Sequence, residues 1–111
     1  NCVFCDISQG KIPSNKIFED GELFAVLDIN PKAPEHILVI PHIHVEDLSL
    51  SSAREIDAVA SCLKKAPQIA KERGLSRSGY RLVVNQGVDS GQEVPHFHLH
   101  ILGGRRLQMM G

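Results

Sequence analysis

Residues 96–102, HFHLHIL, place three of the chain's six histidines at every second position, with apolar Phe97, Leu99 and Ile101 between and after them. A period of two belongs to an extended strand, whose successive side chains leave on opposite faces. Phe97, Leu99 and Ile101 then enter a core, while His96, His98 and His100 share the other face at intervals of about 6.5 Å. A chain with this run must build a sheet that is apolar on one side and chemically loaded on the other. From these residues alone three readings of the loaded face stand open. It is a solvated strand rich in histidine, a metal comb with an open fourth position as in zinc hydrolases, or a nucleophile with its assistants.

The rest of the chain supplies partners for that strand. KIFED and ELFAVLD read as two short strands around Gly21, and HILVIP, His36 to Pro41, as a β-branched central strand. YRLVVN, Tyr80 to Asn85, and FHLHIL, Phe97 to Leu102, are the last two, joined by the glycine-bearing loop QGVDSGQEVP. Between them Ser52 and Glu55 have capping-box spacing, and Ile56, Val59, Ala60, Leu63, Ala66 and Ala70 recur at helical intervals. The predicted helix runs to about Arg73, is blemished by Pro67, and ends at Gly74. A further helical turn covers Cys2 to Gln9. No repeat or linker interrupts the pattern. The expectation is a single α+β domain over residues 1–111, an antiparallel sheet with one long helix on a face.

Charge narrows the partners. With 12 Lys+Arg against 13 Asp+Glu, the formal charge is −1, so no cationic excess exists to coat a polynucleotide. A mononucleotide needs only a local site and stays admissible. No run approaches the ~18 apolar residues of a membrane span, and no signal-like segment is visible. The three cysteines are too few for a disulfide framework and suit a reducing, cytoplasmic setting. The chain opens at Asn1 without methionine, which leaves room for a few residues in front. Its CVFC pair is half of a tetrahedral metal site and a weak signal unless two more ligands lie elsewhere.

HFHLHIL also fits His-φ-His-φ-His-φ-φ, and its flanks agree with it. LDINPKAPEHILVIPHIH, YRLVVNQGVDSGQEVPHFHLHILGGR and CVFCDISQGKIPSNKIFED each resemble, in order, a segment of the histidine triad (HIT) family. The similarity covers essentially the whole chain and is nearest to the Hint branch of nucleoside phosphoramidases, whose LGGR follows the triad. Histidine rather than glutamine at position 100 favours the hydrolases over the related nucleotidyl transferases.

The resemblance implies the HIT fold, a five-stranded antiparallel sheet with one long helix and a short N-terminal helix. It implies a purine nucleoside phosphoramidase, in which His98 is the covalent nucleophile and forms a nucleotidyl-histidine. His98 must be unprotonated at the attacking nitrogen, so its other nitrogen needs an acceptor such as a backbone carbonyl. His100 would face the phosphoryl and leaving group, and His36 would orient the site. Backbone N–H groups of Gly91, Gln92, Glu93 and Val94 suit nonbridging phosphate oxygens, with Asn85 a phosphate or ribose contact. Asp28 resembles the ribose anchor; read from residues alone it is equally a turn-capping aspartate. Phe4, Ile7, Val26 and Ile29 occupy positions resembling a purine slot, or are core.

Zinc-bearing members of the family complete the CVFC pair with two histidines that match His44 and His96. The resemblance therefore implies a structural Zn2+ on Cys2, Cys5, His44 and His96. It also implies a homodimer, with the RRLQMMG tail near the site. Three positions depart from the animal branch: Glu93 stands for serine, Pro95 for an aromatic, and Met109 falls near a tryptophan. The leaving group is therefore open. Alternatives are a dinucleoside polyphosphate hydrolase and a nucleotide-binding regulatory or scaffold protein. His42 stands where many relatives carry lysine, and Cys62 reads as core packing.

Overall fold

A computed structural model describes residues 2–110. The chain opens with the short helix α1 (Val3–Ser8), capped by the Cys2 side chain, which accepts from the Cys5 N–H at 3.4 Å. Two strands follow, β1 (Lys16–Glu19) and β2 (Leu23–Leu27). Asp20 shapes the turn between them, its Oδ1 accepting from the N–H groups of Glu22 and Leu23 at 2.8 and 2.9 Å. Then come β3 (Glu35–Pro41), the long helix α2 (Ala53–Glu72), β4 (Tyr80–Val84) and β5 (Leu99–Gly103). All pairings are antiparallel in the order β1-β2-β3-β5-β4. β5 is thereby placed between β3 and β4, with His100 opposite both Leu38 and Val83.

HILVIP is apolar without interruption because both faces of β3 are covered. On one face Ile37, Val39, Leu99 and Ile101 pack against Cys62, Ala66, Ile69 and Ala70 of α2. On the other, Phe24, Val26, Leu38 and Ile40 pack under Phe4 of α1. Among the described residues no helix is long and apolar enough to cross a membrane.

The capping box is present: the Ser52 N–H donates to Glu55 Oε1 at 2.7 Å and the Glu55 N–H to Ser52 Oγ at 3.2 Å. Gly74 terminates α2 at φ +79°, the left-handed region that a side chain disfavours. The apolar stripe is rotated from its expected position. Cys62 and Ile69 are buried, while Ile56 and Leu63 are exposed, so the helix meets the sheet along Val59, Cys62, Ala66, Ile69 and Ala70. α2 continues through Pro67, which lies on its outer side. Arg73 fastens its end to β3 by two bonds to the Glu35 carboxylate, 2.7 and 3.2 Å.

Candidate active site and metal centre

The histidine run is not all strand. β5 begins at Leu99, so only His100 of the triad lies in the ladder. Phe97 is held separately, its N–H donating to the Val45 carbonyl at 2.7 Å. The alternation nonetheless persists. Phe97, Leu99 and Ile101 enter the α2 core, and the imidazoles lie across from it. That opposite face is not solvated: His96 is 0% exposed and His98 8%. Phe4 covers it, edge-on to His96 and His98 with ring centroids at 5.7 and 5.0 Å.

His96 turns away from the other two. Its Nδ1 lies 3.3 Å from Cys2 Sγ, 3.5 Å from Cys5 Sγ and 3.2 Å from His44 Nδ1, and Cys5 Sγ lies 3.4 Å from His44 Nδ1. Tetrahedral zinc with bonds of about 2.3 Å to sulfur and 2.0–2.1 Å to nitrogen requires S···N edges near 3.6 Å and an N···N edge near 3.4 Å. The fit is close. Tautomers agree with it: His96 Nε2 faces the Pro41 carbonyl at 2.9 Å and His44 Nε2 faces Glu46 Oε1 at 3.3 Å. Each Nε2 therefore carries the proton and each Nδ1 a lone pair. Two lone pairs 3.2 Å apart repel unless a cation lies between them. Burial, and next the neighbouring Cys2, push the Cys5 thiol up, so a cation is also what would hold it as thiolate. Cys2, Cys5, His44 and His96 can together hold a metal ion.

His98 is locked differently. Its Nδ1–H donates to the His96 carbonyl at 2.8 Å, which leaves the lone pair on Nε2. Among the described residues nothing hydrogen-bonds that Nε2. The ring lies 4.9 Å from that of His100, centroid to centroid.

His100 and His36 form a directed chain. The Lys32 N–H donates to His36 Nδ1 at 3.1 Å, so the proton of a neutral His36 sits on Nε2. That Nε2 is 2.9 Å from His100 Nδ1 and donates to it, which puts the His100 proton on Nε2. His100 Nε2 is buried and unpartnered, an N–H awaiting an acceptor. Both rings are neutral at pH 7. Burial, then the charge of His98, pushes His100 down to about 4; burial lowers His36 against the pull of Asp28. The site thus offers one bare nitrogen and one N–H donor on adjacent rings.

The same logic excludes a second metal. Asp28, His36 and His100 also cluster at ligating distances, but His36 Nε2 carries a proton and has no lone pair to give. The comb reading fits poorly as well, because His96 Nδ1 faces Cys2, Cys5 and His44 and not the rings of His98 and His100.

Asp28 is the turn-capping aspartate, with its second oxygen turned toward His36. Its Oδ1 caps the turn by accepting from the Asn30 N–H at 2.8 Å, and its Oδ2 lies 3.5 Å from His36 Nε2. A cleft of about 690 Å³ opens beside it, lined by Ile7, Ile12, Leu27, Asp28 and Ile29. Ile29 is 91% exposed there, whereas Phe4 and Val26 are buried in the sheet core and do not line the cleft. In the loop before the triad, the Gly91 N–H is already committed to the Val88 carbonyl at 3.1 Å. Gly91 is needed for its left-handed φ of +83°; a Cβ there would touch nothing within 4 Å. Among the described residues the N–H groups of Gln92, Glu93 and Val94 meet no protein acceptor. The Gln92 side chain accepts from the Gly87 N–H at 2.9 Å and braces the loop. Asn85 is half-buried at the end of β4.

A family model for the HIT domain matches residues 9–107. The chain belongs to the HIT domain family. It is 40% identical over 108 residues to the purine nucleoside phosphoramidase of Escherichia coli K12, covering 97% of this chain and 91% of that one. A HIT family hydrolase from Legionella pneumophila superposes with a TM-score of 0.91 at 44% identity, over 97% of this chain and 96% of that one. A Zn-bound histidine triad family protein from Mycobacterium smegmatis is similar at a TM-score of 0.79 and 35% identity, over 95% and 76% of the two chains. These likenesses place the chain among HIT family hydrolases.

Several residues of this HIT domain's site carried no sequence signal. The carbonyls of His96 and Pro41 and the N–H of Lys32 act through backbone, which any residue type supplies. Glu46, two residues beyond His44, was legible in principle as a carboxylate partner for a metal-ligating imidazole. His42 proves structural. It lies 2.7 Å from Ser8 Oγ and 2.9 Å from the Asp20 carbonyl, tying α1 to the β1–β2 turn.

Proposed function

We propose that the chain is a purine nucleoside phosphoramidase that works through a nucleotidyl-histidine at His98. The supporting observation is the pairing of opposite tautomers, a lone pair on His98 Nε2 beside an N–H on His100 Nε2. In the first step His98 Nε2 forms a bond to the α-phosphorus and the P–N bond to the amine breaks. The departing nitrogen takes its proton from water, and the His100 Nε2–H donates a hydrogen bond to it while keeping its own proton, because a neutral imidazole that lost it would become an imidazolate. In the second step water adds to phosphorus and releases to solvent a proton that replaces the one taken in the first step, and the phosphorus–His98 bond breaks. The free N–H groups of Gln92, Glu93 and Val94 would hold nonbridging oxygens. Asp28 Oδ2 would accept from the ribose, Ile29 and Ile7 would flank the purine, and Asn85 would complete the contacts.

The reading includes a structural Zn2+ on Cys2, Cys5, His44 and His96, supported by their donor spacing and tautomers. When bound, the ion would tie α1 to the strands' ends and take no part in bond breaking. A reducing, cytoplasmic compartment would keep these thiols free for it. The reading also includes a homodimer: β4 is an edge strand, and Val84, Ile56 and Leu63 leave exposed apolar surface on it and on α2.

Wild type and His98→Ala mixed with an adenosine phosphoramidate, with amine release and protein mass followed together, test the reading. The expected result is turnover and a nucleotidyl adduct in wild type alone. Unchanged turnover or an adduct in His98→Ala overturns it.

A further inference from the structure

The tautomer chain begins at a backbone amide in a loop, and the side chain that reaches this peptide from β5's end is Arg105. Lys32 is the hub. Its N–H donates to His36 Nδ1 at 3.1 Å, and its carbonyl accepts from Arg105 Nη2 at 3.2 Å. Within the loop the Asn30 N–H donates to Asp28 Oδ1 at 2.8 Å and Lys32 Nζ to the Asn30 carbonyl at 3.3 Å, and neither bond restrains the Lys32 peptide itself. Pro31 and Pro34 have no N–H to offer, and the Asp28 N–H closes its base on the His36 carbonyl at 2.9 Å. Gly104, next to Arg105 in the chain, lets the backbone run close to the loop: a Cβ there would lie 2.9 Å from Pro34 Cβ, at a φ of +93°. The guanidinium is itself aimed by a second bond, Nη1 donating to the Arg106 carbonyl at 3.0 Å.

We propose that Arg105 is a positioning residue that, through the Lys32 backbone, fixes His36 and His100 as Nε2–H tautomers. Without the clamp, the Lys32 N–H is free to leave His36 Nδ1. The His36 proton can then occupy either nitrogen, and His100 Nδ1 loses its donor. His100 then loses the bias that keeps its own proton on Nε2, facing the leaving group. Among the described residues the Arg105 guanidinium bonds only the Lys32 and Arg106 carbonyls, so its action on the rings is indirect. The proposal deepens the phosphoramidase reading and rests on it for its catalytic consequence.

The test is 15N NMR of the histidine rings in the ligand-free, metal-loaded protein, beside steady-state kinetics on an adenosine phosphoramidate. Wild type should show His36 and His100 as Nε2–H and His98 as Nδ1–H. Arg105→Ala should give mixed tautomers at His36 and His100, with kcat down about tenfold and KM within about twofold. Arg105→Lys, which keeps one donor for the Lys32 carbonyl, should recover part of both. Arg106→Ala, in which only the backbone carbonyl is used, should match wild type. Unchanged tautomers in Arg105→Ala overturn the proposal, and so does a tautomer change that leaves kcat intact. Because tautomers are read without substrate, they decide the proposal even where the His98→Ala assay defeats the phosphoramidase reading.

Discussion

The His96 carbonyl accepts from His98 Nδ1–H at 2.8 Å, so the residue whose ring faces Cys2 and Cys5 also locks the tautomer of its neighbour. Loss of the cysteine ligands should therefore be felt at the nucleophile. Cys2→Ser and Cys5→Ser are expected to lose zinc, to lose stability on the order of several kcal/mol, and to slow kcat by about tenfold. Elemental analysis, thermal unfolding and turnover measure the three effects. One zinc per chain retained in both variants would refute the Cys2His2 site.

His98 and His100 should separate by leaving group. His98→Ala is expected to lose at least about 10³-fold in kcat with every substrate, since it removes the atom that attacks. His100→Ala keeps the nucleophile and removes the N–H that hydrogen-bonds the leaving atom. With an amine leaving group its loss should be about 10²-fold or more, and with p-nitrophenolate, which leaves unprotonated, it should be near wild type. Equal losses with both leaving groups would show that His100 does not assist the departure of the amine.

The sheet and the long helix were legible because burial and capping leave periodic traces in residue type. KIFED, ELFAVLD, HILVIP and YRLVVN each become a strand, and Ser52 with Glu55 caps α2. Two features were misplaced for physical reasons. The apolar arc of α2 is wider than the face the sheet covers, so Ile56 and Leu63 at its edge read as core although Cys62 and Ile69 take that place. Period-two alternation continued through residues 96–98 without ladder pairing, since Phe97 is anchored to Val45 instead of to a strand. The orientation and tautomer of each triad ring had no residue-type signature at all. They are set by the Pro41 and His96 carbonyls and the Lys32 N–H, which fix where each ring carries its proton.

Acid should weaken the fold through the same rings. His100 titrates at about 4 in the folded protein because burial and then His98 oppose its charge, and burial lowers His36 too. In the unfolded chain a histidine takes its proton near pH 6.5. Between those values the unfolded state binds more protons, so stability is full above about 6.5 and falls as pH drops toward 4. Chemical denaturation across pH 4.5–7 should show this slope, and His100→Gln should flatten it by close to one proton's worth. A slope unchanged in His100→Gln would mean that the ring is already charged at neutral pH.

The three free cysteines should report their environments by reactivity. Cys62 is fully buried on α2, and burial, followed by Asp20 and Glu22, pushes its thiol up to about 12. At pH 8 only about one molecule in 10⁴ then carries the nucleophilic thiolate, and the core blocks access to it. Cys2 and Cys5 are half-buried, and a bound metal would occupy their sulfurs. Alkylation of the native holoprotein at pH 8 should therefore label almost nothing. A chelator should expose two thiols per chain while the fold persists, and the third should appear only in denaturant. Two thiols labelled at once without chelator would mean that Cys2 and Cys5 hold no ion. Early labelling of the third would mean that α2 leaves the sheet far more often than its buried face allows.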